Sequence, residues 1–98
     1  MMNIPPEELG EAKVLYYTSI DERHKPTRNT VHRVNDNILG PAARLAICQY
    51  DTEKGFYLFY CDDEWEVMTD TYHFSLEDAQ AQAELEYQGV SQTWRKLS

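Results

Sequence analysis

Phe56-Tyr57-Leu58-Phe59-Tyr60-Cys61 is the longest apolar run in the chain. Its side chains are apolar at both parities, the pattern of a strand buried on both faces. Upstream, the turn composition Asp51-Thr52-Glu53-Lys54-Gly55 separates it from a second apolar segment, Arg44 to Tyr50. Downstream, Asp62-Asp63-Glu64 turns the chain into Trp65 to His73. If Thr52 to Gly55 close the first hairpin and Asp63-Glu64 the second, three antiparallel strands follow. Leu45, Ile47, Phe56, Leu58, Tyr60, Trp65 and Val67 then share one face, and Cys48, Tyr50, Tyr57, Phe59, Cys61, Met68 and Tyr72 the other. A slip of one residue would exchange these sets.

Further out, Ala12 to Ile20 is rich in β-branched and aromatic residues and reads as a first strand. Thr30 to Val34 reads as a weaker second strand, stopped by Asn35-Asp36-Asn37, and Gly40-Pro41 interrupts before Arg44. The helix is the best-signalled element: Ser75 is an N-cap, Glu77 and Asp78 complement the positive helix end, and Gly89 stands where a left-handed cap is needed. Leu76, Ala79, Ala83 and Tyr87 fall on one helical stripe, with Val90 near its extension. Leu85 points the other way, either covered by Trp94 and Leu97 or left as an exposed contact, and Val90 to Leu97 can add a last short strand. The expected fold is α+β: one domain over residues 1–98, an antiparallel sheet of about four to six strands, and one C-terminal helix on one face. The more aliphatic set belongs under the helix. The Tyr- and Met-rich set is left to the N-terminal segment with Ile4 and Leu9, to a second copy, or to a foreign partner.

The 98 residues carry 17 Asp plus Glu against 9 Lys plus Arg, a net charge of -8, and 42% are hydrophobic. This is the composition of a packed domain rather than an acidic disordered tail. The charge is uneven: residues 51–88 hold eleven acids and one base, whereas 23–44 hold five bases and one acid. The acidic half would repel nucleic acid. The basic stretch reads either as a solvated loop paired with the acidic remainder or as an anion site built from His24, Arg28 and Arg33. Met1 to Glu8 has no basic start followed by an apolar run, and no segment reaches the roughly 20 apolar residues of a membrane helix, so a soluble, uncleaved, cytoplasmic chain is expected. Cys48 and Cys61 lack redox or zinc spacing and are expected as free buried thiols.

No catalytic or cofactor signature emerges. Asp62-Asp63-Glu64 with Glu66 could gather oxygen ligands, but it lacks the glycine and spacing of a calcium loop. His24, His32 and His73 have no i, i+4 partners. Asp70, His73 and Ser75 supply the residue types of a triad without a glycine-flanked nucleophile turn, and the hydroxyl is better explained as a cap. Cys61, the other nucleophile, lies inside the most apolar strand, where a thiol is inert. Neither enzyme activity nor a cofactor is expected.

Phe56 to Val67, followed by Thr69-Asp70-Thr71-Tyr72-His73 and the Leu76 to Tyr87 helix, resembles small uncharacterised bacterial proteins with a strand, an acidic turn, a Trp-bearing strand and an Ala-rich acidic helix. In size, acidity and layout the chain is also similar to immunity proteins that neutralise bacterial toxins. These resemblances imply a non-enzymatic protein-binding or regulatory module and supply no catalytic residues. The candidate interface comprises Tyr50, Tyr57, Phe59, Met68, Tyr72 and Leu85, serving a protein partner or a homodimer. The alternative is a small-molecule or anion-binding domain, or weak enzyme, with a pocket near residues 23–33.

Overall fold

The computed structural model describes residues 4–20, 25–26, 33–34, 37–38 and 42–97. In chain order the elements are β1 (Glu8–Leu9), β2 (Ala12–Ser19), β3 (Lys25–Pro26), β4 (Arg33–Val34), β5 (Asn37–Ile38), β6 (Arg44–Gln49), β7 (Phe56–Cys61), β8 (Val67–His73), α1 (Leu76–Glu86), β9 (Tyr87–Gln88), a 3₁₀ turn (Val90–Gln92) and β10 (Arg95–Lys96). The main sheet runs β1-β2-β6-β7-β8, with β10 also paired to β2. All of its pairings are antiparallel, and the sheet curls as a half-barrel with one α-helix among the described residues, near the C-terminus. The expected α+β class holds. The apolar run is the strand β7, between β6 and β8.

Two bulges shape the sheet. In β2, Val14 faces Cys48 but Tyr16 faces Ile47, so Leu15 is an extra residue. In β8, Val67 faces Cys61 but Thr69 faces Tyr60, so Met68 is extra. An extra residue on one strand bends it and raises its twist, which is how a flat meander becomes curved. The second bulge corrects the face assignment. Trp65 packs with Phe59 and Cys61 on the face away from the helix, while Met68 packs against the helix-side core. Alternation fails there because Trp65 is not in a strand: its φ is 65°, a turn conformation, and β8 begins only at Val67.

The first hairpin also closes differently. Tyr57 faces Cys48, so the connection runs from Tyr50 to Gly55, with Glu53 N–H donating to the Tyr50 carbonyl at 3.1 Å. That is two residues away from a Thr52 to Gly55 closure, and an even shift keeps every side chain of β6 and β7 on its face. The expected strand Thr30 to Val34 is described only over Arg33–Val34, which pairs with Asn37–Ile38 outside the main sheet. In the main sheet β2 pairs directly with β6. The anticipated final strand shrinks to Arg95–Lys96, after the 3₁₀ turn.

Ser75 Oγ accepts from the Asp78 N–H at 3.0 Å, as the N-cap reading requires. Gly89 has φ 99° and is left-handed. It follows the short strand β9, which pairs with β3, rather than ending the helix directly. The Glu84 carboxylate organises this exit, accepting from the Gly89 and Ser91 N–H groups at 2.8 and 2.9 Å. The stripe Ala79, Ala83, Tyr87 and Val90 packs with Leu45, Ile47, Leu58 and Tyr60. Leu45, Ile47 and Leu58 are fully buried, each contributing about 1.5–3 kcal/mol by leaving water. The alanines let the helix backbone approach the sheet. On the far face Leu9, Ala12 and Val14 close over Ala46, Cys48, Phe59, Cys61 and Trp65, with Leu97 against them. Part of the set left over by the helix is thus covered from within by β1 and β2, while Ile4 stays half exposed.

Candidate functional site

Beyond the cover provided by β1 and β2, the far face presents an aromatic strip. Tyr57, near the start of β7, has Tyr50 on one side at 5.2 Å between ring centroids and Tyr72 on the other at 5.0 Å. Tyr72 is followed two residues later by Phe74, at 5.6 Å. Interplanar angles of 89°, 67° and 86° make all three pairs edge-to-face. Such pairs are worth about 0.5–1.5 kcal/mol beyond their burial, so the strip is preorganised. Phe74 is 84% exposed and Tyr72 45%. Tyr72 lies across Gly55, where a Cβ would overlap its phenol ring. The Tyr57 hydroxyl donates to Glu53 at 3.0 Å, and that bond, ahead of burial, holds its pKa above the ordinary value. Asp51 and Asp70 are exposed beside the strip, Asp70 on the same face as Tyr72.

The sequence-derived interface is therefore partly assembled. Tyr50, Tyr57 and Tyr72 come together, and Phe59 lies beneath Tyr57 at 6.1 Å but is itself buried. Met68 belongs to the opposite, helix-covered face because of the bulge. Leu85 is 48% exposed on the helix, outside this strip. Trp94 packs against the helix-side core and Leu97 against the far-face core. Phe74, absent from the sequence-derived set, completes the strip. Its signal was the alternation itself, since it continues the Tyr72 parity by two residues. His24 and Arg28 lie outside the described residues, and Arg33 is described only as part of β4.

Beneath the helix lies a buried polar chain. The Tyr60 hydroxyl donates to the Glu86 carboxylate, and Gln82 donates to the same oxygen at 2.9 Å. Burial first, and then the bond to Glu86, push the Tyr60 phenol pKa far up, while a bond to Thr71 opposes this. Thr71 Oγ1 in turn bonds His73 Nε2 at 2.7 Å. Burial lowers the His73 pKa against the raising influence of Asp78 and Glu86. This arrangement joins helix to sheet.

The remaining chemical candidates are not brought together. Asp70 and His73 occupy opposite sheet faces, and Ser75 is engaged at the helix cap. Burial pushes the Cys61 thiol up to about 12, and Cys48 is raised by the same cause. Asp62 Oδ1 accepts from the Glu64 and Glu66 N–H groups at 2.8 and 2.9 Å, which builds the turn. Among the described residues, no group of three or more His, Cys, Asp or Glu side chains gathers to hold a metal ion. No described helix is long and apolar enough to cross a membrane. Comparison with known proteins gives no match to a family model, a curated protein or a solved structure.

Proposed function

We propose that the chain is a non-enzymatic protein-binding module whose partner supplies an extended, basic segment laid along β8. The observation that carries this is the strip Tyr50–Tyr57–Tyr72–Phe74 running out to a strand that, among the described residues, pairs on one side only. An unpaired strand edge offers main-chain hydrogen bonds to an incoming strand, and a neighbouring aromatic surface offers side-chain grip. Exposed Asp51, Glu53 and Asp70 favour Lys or Arg on the partner, which can also sit over tyrosine faces. A second copy carrying the same net charge of -8 would be repelled. The immunity-type inhibitor is the narrower form of this proposal, with a cationic toxin domain as the partner. A reducing cytoplasm is the proposed setting, supported by the two buried free thiols.

The test uses a synthetic peptide of alternating Lys and Val in an amide NMR titration. Thr69, Thr71 and His73 amides should shift saturably and gain exchange protection. The Tyr57→Ser, Tyr72→Ser double variant should lose the effect with its circular dichroism unchanged. Shifts spread evenly over all acidic segments, or none at all, would count against the proposal. Protection of β8 that grows with protein concentration in the absence of peptide would replace the basic partner with a second copy.

A further inference from the structure

The polar chain beneath the helix has a direction. The Tyr60 hydroxyl donates its one proton to the Glu86 carboxylate, so its oxygen is left to accept. Thr71 supplies that bond from a diagonal position across the β7–β8 pair, where Leu58 faces Thr71 and Tyr60 faces Thr69. Thr71 thereby commits its own proton to Tyr60. In the 2.7 Å contact between Thr71 Oγ1 and His73 Nε2 the imidazole is then the donor. Every proton in the series His73, Thr71, Tyr60 points toward Glu86, a carboxylate 5% exposed that also accepts from Gln82 at 2.9 Å.

This direction holds the neutral His73 ring as its Nε2–H tautomer and leaves Nδ1 as the nitrogen that takes up a proton. The imidazolium carries the same Nε2–H, so the bond to Thr71 is made in both charge states. His73 also ends β8, the strand that, among the described residues, pairs on one side only. Its chain neighbours Tyr72 and Phe74 belong to the aromatic strip on the opposite face. On the helix side the half-buried ring feels Asp78 and Glu86 of α1, with Thr71 of β8 and Tyr60 of β7 next in the chain. Asp70 lies on the strip face, and Glu53 is held there by Tyr57. A basic strand laid along β8 covers the His73 ring further and brings Lys or Arg toward it. Both effects disfavour an imidazolium, since burial penalises the charged form and like charges repel.

We propose that His73 gates the β8 edge by pH: its neutral ring admits a basic strand, and a proton taken at Nδ1 expels one. The gate rests on the docking reading above and adds its regulation. A partner that disfavours the imidazolium is itself displaced by protons, and one linked proton changes affinity by at most about tenfold per pH unit. Binding is strongest at neutral pH and weakens as pH falls through the free protein's His73 value, which burial sets below 6.5.

The alternating Lys and Val peptide would be titrated at about pH 7.5 and about pH 5.0 against the whole chain and against His73→Gln, whose side chain stays neutral and keeps an N–H for Thr71. The dissociation constant should rise at least about threefold more in the wild-type protein than in the variant, whose own change records the titration of the acids. Equal changes in both proteins would overturn the gate and leave docking in place. No binding at either pH would overturn the docking reading and the gate with it. Imidazole ¹⁵N signals of the peptide-free protein at about pH 7.5 test the directed chain separately: the proton should sit on Nε2, and in Thr71→Val it should be shared between both nitrogens. An Nδ1–H tautomer in the wild-type protein, or an unchanged tautomer in Thr71→Val, would overturn the chain. Should His73→Gln not fold, the same signals followed through pH with and without saturating peptide decide, because the gate requires a lower His73 midpoint in the complex.

Discussion

Tyr60 shows what a single side chain can carry in this fold. Its ring is among the largest fully buried groups in the core, and its hydroxyl donates to a buried carboxylate on the facing helix. Replacing it with Phe keeps nearly all of the packing and removes one donor from Glu86, which cannot regain it from water in a site 5% exposed. Glu86 keeps the Gln82 donor on the same oxygen, so the loss is that of one hydrogen bond, about 0.5–1.5 kcal/mol. Tyr60→Phe is therefore expected to lower the urea midpoint with the slope unchanged, measured by tryptophan fluorescence, and an unchanged midpoint would mean that Glu86 gains nothing from the phenol. The Ser75 cap and the left-handed Gly89 were legible in the sequence because each is a local event. The Tyr60–Glu86 bond joins residues 26 apart and was not, since only the packing of helix on sheet brings them together.

At the scale of elements, the sequence specified strands well and their exact ends poorly. β7 was legible from its apolarity, and the helix from its cap and stripe. Face assignments held through the first hairpin because its shift was even, and failed at Trp65 and Met68 because one extra residue enters β8. A bulge has no composition of its own: Trp65 and Met68 are ordinary strand residues by propensity, and curvature of the whole sheet decides where the extra residue goes. The aromatic strip depends in turn on Gly55 at the hairpin end, which leaves room for the Tyr72 ring. In Gly55→Ala the added methyl displaces that ring. Because Tyr72 is 45% exposed, the ring can swing into solvent, and the stability change should stay within about 1 kcal/mol. The cross-peaks between Tyr57 and Tyr72 ring protons should vanish while circular dichroism is preserved. Their persistence would show that the hairpin backbone yields in place of the ring.

For the molecule as a whole, buried titratable groups set a window of pH in which the fold is most stable. On the acid side, burial holds His73 below the ordinary value of 6.5. The unfolded chain then takes up a proton first as pH falls, so this contribution is fully present above about 6.5 and is lost as pH falls through the lower folded value. On the alkaline side the shifts run the other way. Cys48, Cys61, Tyr60 and Tyr87 are all raised by burial, Cys61 from 9.0 to about 12. The folded protein keeps these protons longer than the unfolded chain, so stability is full below the ordinary values and declines once pH climbs past about 9, toward the folded values. Urea midpoints should therefore be highest between about pH 7 and 9 and fall on both sides. His73→Gln should flatten the acid limb, and a Cys48→Ala, Cys61→Ala double variant should reduce the slope of the alkaline one. Thiol reagents add an independent measure, because buried protonated thiols react only when the strands β6 and β7 open. An alkaline limb that is flat in the wild-type protein, together with fast thiol labelling at pH 8, would mean that the paired strands open far more readily than their complete burial implies.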